Sequence, residues 1–304
     1  MRNLALTLAL TTLACPSVAD VPRVVTDIPA VQSLTAQVMG DLGMPAVLLE
    51  QGGNAHSYQL RPSQAKTLQG ADLVIWVGPE MTPWLDRAVA GVGGTAKPLG
   101  LLAAEPTHRR PFTAAEVDEH GHNADHDHGD TDPHAWLDPE NAKVWVGLIA
   151  ADLAAADPEH AATYHQNADA ARARIDAAQA EAATLLAPVA NRPFVVFHDA
   201  YGYFADRFGL HIAGAINLGD ATTPGAAHLT ALRDAMAQNG VVCAFPEAGH
   251  DPRPVTVLVE GTGVHVGGAL DPSGSGLPYG PALYEGLLGQ MAATLAECLS
   301  RGDG

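Results

Sequence analysis

The chain has 304 residues, of which 47% are hydrophobic and 5% aromatic, and its 34 acidic residues against 16 basic ones give a formal net charge of −18. A surface that acidic disfavours nucleic acid and anionic lipid as partners, and it attracts cations. The length suits two domains of ordinary size or one large one.

The first 19 residues read as a signal peptide. Arg2 is the only early charge, Leu4–Ala14 is an apolar run, and Ser17-Val18-Ala19 offers small residues for cleavage. The run is shorter than the roughly 20 residues of a membrane-spanning helix, and no later segment is apolar long enough to cross a bilayer. A periplasmic chain of about 285 residues with net charge −19, Arg2 having left, is therefore expected. The alternative is a lipoprotein anchored through Cys15. Cys243 and Cys298 then remain as an even pair in an oxidising compartment, which reads as a disulfide. Two buried free thiols are the competing possibility. Closing that loop would stabilise the fold by about 4 kcal/mol in the chain-entropy treatment.

In chain order, Arg23–Asp27 reads as a short strand leading into a helix around Val31–Gly40. Ala46–Glu50 and Ala71–Val77 are apolar runs of strand length, separated by a helical pattern near Ser63–Leu68. Strands alternating with helices predict parallel βαβ units. The stretch from about 105 to 133 breaks the rhythm, being polar, acidic and rich in histidine, and is expected to be a loop. A helix follows, with Asp157 as cap, Pro158 in its first turn and Pro188 as its stop. Tyr164, Ala168, Ala171, Ile175, Ala178, Ala182 and Leu185 recur along it at helical spacing, an apolar stripe on about 30 residues, roughly 45 Å long. At mid-chain this helix is expected to be a rigid spine between two domains. Pro193–Phe197, Val241–Phe245 and Val264–Leu270 then read as three further strands. The expected organisation is a signal peptide at 1–19, an N-terminal domain at 20–156, a linking helix at 157–188 and a C-terminal domain at 189–304.

Candidate ligands fall at the ends of these strands. His198 follows Pro193–Phe197, Asp271 follows Val264–Leu270, His56 lies a short turn beyond Ala46–Glu50, and His134 closes the acidic stretch. In open α/β sheets, ligands bind outside the carboxyl ends of the strands. Two donors from each half of the chain thus point toward one crevice. Three imidazoles and a carboxylate suit Zn²⁺ in a tetrahedral shell, whereas Mg²⁺ or Ca²⁺ would want mostly oxygen. Imidazoles must be neutral to ligate, so affinity should fall below about pH 6.5. Each position alone is weak, and no HExxH or CxxC pair supports the set.

Taken together, HSYQLRPSQ (His56–Gln64), ADLVIWVGPEMTPWLD (Ala71–Asp86), DPHAWLDPENA (Asp132–Ala142), FHDAYGYFADRFGL (Phe197–Leu210) and LDPSG (Leu270–Gly274) resemble the ZnuA type of periplasmic zinc-binding proteins of ABC importers, among the cluster A-I solute-binding proteins. The resemblance runs through nearly the whole mature chain in order. It implies an α/β fold of two (β/α) domains with parallel sheets, joined by a long rigid helix, with the metal in the cleft between domains. It places the family's ligands on His56, His134, His198 and Asp271, and it supports the Cys243–Cys298 disulfide. Some members carry glutamate immediately before the first histidine, where this chain has Ala55. That leaves Asp271 or a water to complete the shell. The manganese branch has glutamate where this chain has His198, so an imidazole there shifts preference toward zinc. Glu247 matches a family position near the cleft, and Asp199 is a candidate to orient an imidazole; either is also readable as a capping residue. Nothing in the resemblance makes His250 a ligand. His120, His122, His126 and His128 fall in a loop that zinc-type members often have, which implies weaker auxiliary zinc binding.

The expected function is zinc capture and delivery to a membrane permease, by a monomer that is not an enzyme and does not insert in the bilayer. A manganese or other divalent-metal carrier, a zinc chaperone or adhesin, and a zinc hydrolase are the alternatives.

Overall fold

The structure is a computed structural model that describes residues 21–92, 96–111, 131–217 and 224–303. The expected signal peptide, Cys15 and the histidines at His120, His122, His126 and His128 lie outside the described residues.

The first half of the chain builds a parallel sheet from β1 (Val24–Thr26), β2 (Ala46–Val47), β3 (Leu73–Trp76) and β4 (Lys97–Gly100), in the order β2-β1-β3-β4. The second half builds another from β5 (Phe194–His198), β6 (Ile212–Asn217), β7 (Cys243–Phe245) and β8 (His265–Val266), in the order β6-β5-β7-β8. Every pairing is parallel. All residues of β1, β3, β5 and β7 are buried, as expected for strands covered by helices on both faces. The expected two-domain α/β class is what the structure has.

Helices α1 (Pro29–Met39), α2 (Pro62–Gln69) and α3 (Pro83–Val92) belong to the first sheet, and α6 (Gly202–Phe208), α7 (Ala226–Asn239) and α8 (Arg253–Val259) to the second. Between them run α4 (Pro139–Ala156) and α5 (Ala161–Leu186), and α9 (Leu283–Leu299) closes the chain. Asp138 caps α4 by accepting from Glu140 N at 2.9 Å, with Pro139 in the first turn. The 26-residue α5 packs on α1, α4 and α9. It touches helices of both lobes, as a spine must.

Two details of the expected spine differ. Asp157 does not cap it: its Oδ2 instead accepts from the Tyr164 hydroxyl at 2.8 Å and pairs with His160 Nδ1 at 2.7 Å, while Pro158–His160 forms a 3-10 turn ahead of the helix. Pro188 stops it as expected: α5 ends at Leu186, Ala187 is its C-cap, and Pro188 lies in the 3-10 turn beyond. The apolar stripe holds from Tyr164 to Ala182 but finishes on Leu186, leaving Leu185 47% exposed. A last step of four rather than three keeps the stripe on the buried face.

The largest core cluster is continuous from β1 and β3 through α1, α4 and α5 to β5, β7 and α9. A disulfide joins Cys243 in β7 to Cys298 in α9, with Cα atoms 6.3 Å apart. No helix among the described residues is long and apolar enough to cross a membrane.

Candidate metal centre

Three imidazoles reach the space between the lobes by three different local devices. His56 sits in a turn beyond β2, where Gly52 takes φ +74°, a conformation that favours glycine. Asn54 Oδ1 accepts from His56 N at 2.9 Å and Ser57 N at 3.2 Å, and the Trp84 indole donates to Ala55 O at 2.6 Å. His134 starts a 3-10 turn before α4, and His198 is the last residue of β5.

One donor atom from each of His56, His134 and His198 lies within 4.8 Å of the others. Ring centroids are 5.4 Å apart for His56 and His134, 5.9 Å for His56 and His198, and 5.1 Å for His134 and His198. In a tetrahedral zinc shell with Zn–N near 2.05 Å the nitrogens stand about 3.3 Å apart. The rings are therefore within a small rotation of that geometry.

Two of the three are oriented by carboxylates. Asp132 Oδ1 accepts from His134 N at 3.0 Å and meets Nδ1 at 2.8 Å. Burial opposes ionisation of Asp132, but the hydrogen bonds from His134 and Arg110 hold its carboxyl below the usual range. An ionised carboxylate only accepts, so the proton belongs on Nδ1 and the lone pair on Nε2. His134 Nε2 is buried with no hydrogen-bond partner, an arrangement that a bound cation would satisfy. On His198, Nδ1 lies 3.2 and 3.1 Å from the two oxygens of Glu247, which follows β7. Glu247 Oε2 also accepts from the Tyr201 hydroxyl at 2.9 Å. Burial, then the charge and hydrogen bond of Glu247, push that hydroxyl well above its ordinary pKa, which keeps it a donor. The carboxylate on His198 is thus Glu247 rather than Asp199. His250 lines the cleft with its Nε2 3.6 Å from Glu247 Oε1 and its ring on Phe197.

The expected fourth donor, Asp271, is buried and stands just outside that group of three. Its Oδ1 accepts from Ser275 N at 3.0 Å and from the Ser273 hydroxyl at 3.3 Å, and its Oδ2 accepts from Gly276 N at 2.8 Å. The Asp-Pro-Ser-Gly-Ser-Gly turn that follows takes some of its acceptor sites, but a carboxylate has about four, and Oδ2 accepts only from Gly276 N, which leaves it a lone pair for an ion.

The cavity bounded by His56, His134, His198 and Glu247 has a volume of about 40 Å³. That is room for an ion and a water, an order of magnitude below the roughly 300–1,000 Å³ of an organic ligand pocket.

Solved structures share this fold over nine-tenths of the chain. Among solved structures, FpvC from Pseudomonas aeruginosa in complex with Mn²⁺ superposes with a TM-score of 0.79 at 22% identity, covering 93% of this chain and 99% of that one. A Cd-bound periplasmic metal-binding protein from Candidatus Liberibacter asiaticus gives 0.76 at 22% identity, covering 91% and 99%. At the level of sequence, the family described as zinc-uptake complex component A, periplasmic (ZnuA), matches residues 24–298. The high-affinity zinc uptake system protein ZnuA of Paracoccus denitrificans is 49% identical over 318 residues, 98% of this chain and 98% of its own. Its namesake in Brucella suis is 37% identical over 312 residues, 91% and 92%. The chain belongs to the ZnuA family.

Proposed function

We propose that the protein captures zinc in the periplasm and delivers it to the permease of a zinc ABC importer, acting as a monomer. The observation that carries this reading is the convergence of three imidazole donors, from two lobes, in a cavity of ionic size. His56, His134, His198 and Asp271 are the proposed ligands, with a water as the alternative to Asp271 in the fourth position. Imidazole donors suit zinc, while a hard oxygen-preferring ion gains less from them. Glu247 and Asp132 fix the tautomers of His198 and His134 so that Nε2 faces the ion. The domain bounds proposed are 20–156 and 189–304, with 157–188 between them. His120, His122, His126 and His128 are proposed to take further zinc weakly, because ordering a loop around an ion has an entropic cost. The size of the cavity argues for a cargo ion over a hydrolytic substrate.

The test is metal content and zinc competition with a chelator on purified protein. His56→Ala, His134→Ala and His198→Ala should each lose at least about 100-fold in zinc affinity, beyond the range seen for outer-shell changes. Asp271→Ala should lose at least about 10-fold in affinity and lower the melting temperature, because it also uncaps the Ser273–Gly276 turn. A smaller loss of affinity would give the fourth position to a water, and unchanged affinity in the histidine variants would sink the site.

A further inference from the structure

Arg110 is a part-buried cation to which the proposed function gives no task. Its side chain is 14% exposed. Nη1 donates to Asp132 Oδ2 at 2.9 Å, and Nε lies 3.3 Å from Asp206 Oδ2 on α6 of the other lobe. The guanidinium carbon stands 5.8 Å from the centre of the Tyr203 ring, also on α6. The approach to that helix is so close that a Cβ at Gly202 would fall 1.6 Å from Nη1 and 2.3 Å from Cζ. No other residue type fits at position 202 unless the guanidinium moves away.

The backbone around Arg110 is fixed to the same place. Arg110 N donates to the Tyr203 hydroxyl at 2.9 Å, and that hydroxyl donates to the Asp132 carbonyl at 3.0 Å. Asp132 N donates to Arg110 O at 3.0 Å, and Pro111 and Thr131 form an antiparallel bridge beside it. Residues 110–111 and 131–132 therefore make a short two-stranded stem seated on α6. The Asp132 carboxylate has one oxygen on Arg110 and the other on His134.

We propose that Arg110 is a positioning residue for metal release, a pin that connects α6 of one lobe through Asp132 to the His134 ligand of the other. The inference rests on the reading of His134 as a zinc ligand. With the pin in place, Asp132 is held on two sides and the His134 ring has one orientation. A shift of α6 against the stem pulls the guanidinium from Asp132 Oδ2. That oxygen is then buried without its donor, and a carboxylate rotating to find another takes Oδ1 off Nδ1. The ligand ring loosens while the other two imidazoles stay put. An ordinary structural ion pair needs neither the glycine contact at 202 nor a shared carboxylate on a ligand.

The experiment uses the full chain loaded with zinc and follows metal loss to an excess of chelator. Arg110→Ala removes the pin, and Gly202→Ala leaves the charge but places a methyl group where the guanidinium lies. Melting of the metal-free proteins establishes that each variant is folded. Arg110→Lys keeps a cation near Asp132 without the fork to Asp206. Zinc loss should accelerate about 10-fold in both alanine variants, the lower end for outer-shell partners, with an intermediate rate for Arg110→Lys. Imidazole ¹⁵N spectra of the metal-free variants should show His134 losing its single Nδ1–H tautomer, which a merely structural pair would leave intact. Release rates within twofold of wild type, with the tautomer retained, overturn the inference. His134→Ala is the control: if it retains zinc as long as wild type, the ligand assignment fails and the inference falls with it.

Discussion

At the scale of single residues, the site is built less by its ligands than by the acceptors that aim them. Glu247 takes hydrogen bonds from both His198 and Tyr201, so its loss frees an imidazole and leaves a buried hydroxyl unpaired. Glu247→Ala should therefore weaken zinc binding by about 10–100-fold with one zinc per chain retained, as read by chelator competition; an unchanged affinity would make Glu247 a cap and nothing more. Asp27 shows a carboxylate used in the opposite sense. It lies at the end of β1, fully buried, and accepts from Ile28 N at 2.8 Å, Val77 N at 2.9 Å and the Thr82 hydroxyl at 3.3 Å. Burial dominates and raises its pKa from 3.8 to about 6. A folded-state value above the unfolded one means that the native chain binds the extra proton. Its stabilising effect is complete below about pH 4 and is lost as pH rises through about 6, a change of about 3 kcal/mol. The stability of wild type minus that of Asp27→Asn, measured by denaturant at a series of pH values, should fall by about 3 kcal/mol over that window. A gap independent of pH would contradict the assignment. Neither role is legible in the sequence, because what a carboxylate does depends on which N–H groups the fold brings to it.

At the scale of elements, the disulfide is the clearest case of local chemistry serving architecture. Cys243 and Cys298 are 55 residues apart and fasten the last helix, α9, to a central strand of the second sheet. Cys243→Ala with Cys298→Ala should destabilise the fold by about 4 kcal/mol, the loop entropy for that length, seen as a lower denaturant midpoint. Equal midpoints for the reduced and oxidised chain would count against the staple. The pairing is readable in the sequence, since two thiols in an oxidising compartment allow only one bond. Strands β1, β3, β5 and β7 are readable too, because each falls in a short, largely apolar run bounded by polar residues. Edge strands β2 and β8 fall inside the runs Ala46–Glu50 and Val264–Leu270 but keep only two residues each, whereas β4 (KPLG) and β6 (IAGAIN) are not readable, because they carry Pro or Gly and little apolar contrast. Helix α4 escapes for another reason. Its buried face is a regular stripe of Ala142, Trp145, Val146, Ile149, Ala150 and Leu153, but Val144, Leu148 and several alanines on the other faces blur the apolar contrast that would mark it in the sequence. His56, His134 and His198 are legible because strand ends and the Asp132–Ala142 motif mark them. Asp271 has the same positional signal, and the turn after it, which takes several of its hydrogen bonds, is not legible in that signal.

At the scale of the whole molecule, the two lobes are not free bodies on a hinge. The principal core runs uninterrupted through α5 from one sheet to the other. Around it, hydrogen bonds cross between the lobes: the Trp136 indole donates to Pro272 O at 2.8 Å, the Tyr284 hydroxyl to Trp136 O at 2.7 Å, and Gln37 to Pro281 O at 2.8 Å. Arg207 adds a two-pronged ion pair from α6 to Asp138, with contacts of 2.7 and 2.9 Å. Opening the cleft widely would expose this apolar surface and strand several buried polar groups, a cost far above what one ion's differential binding supplies. Metal capture must then proceed by small rotations of the imidazoles and nearby loops, in keeping with donor atoms already within 4.8 Å of one another. A compact chain of this length has a radius of gyration of about 19 Å. Solution scattering of zinc-free and zinc-loaded protein should give radii that differ by less than about 1 Å, well short of the domain closure seen in hinged binding proteins. A contraction of several ångströms on loading would mean that the shared core parts in solution, and the spine would have to be redrawn as a hinge.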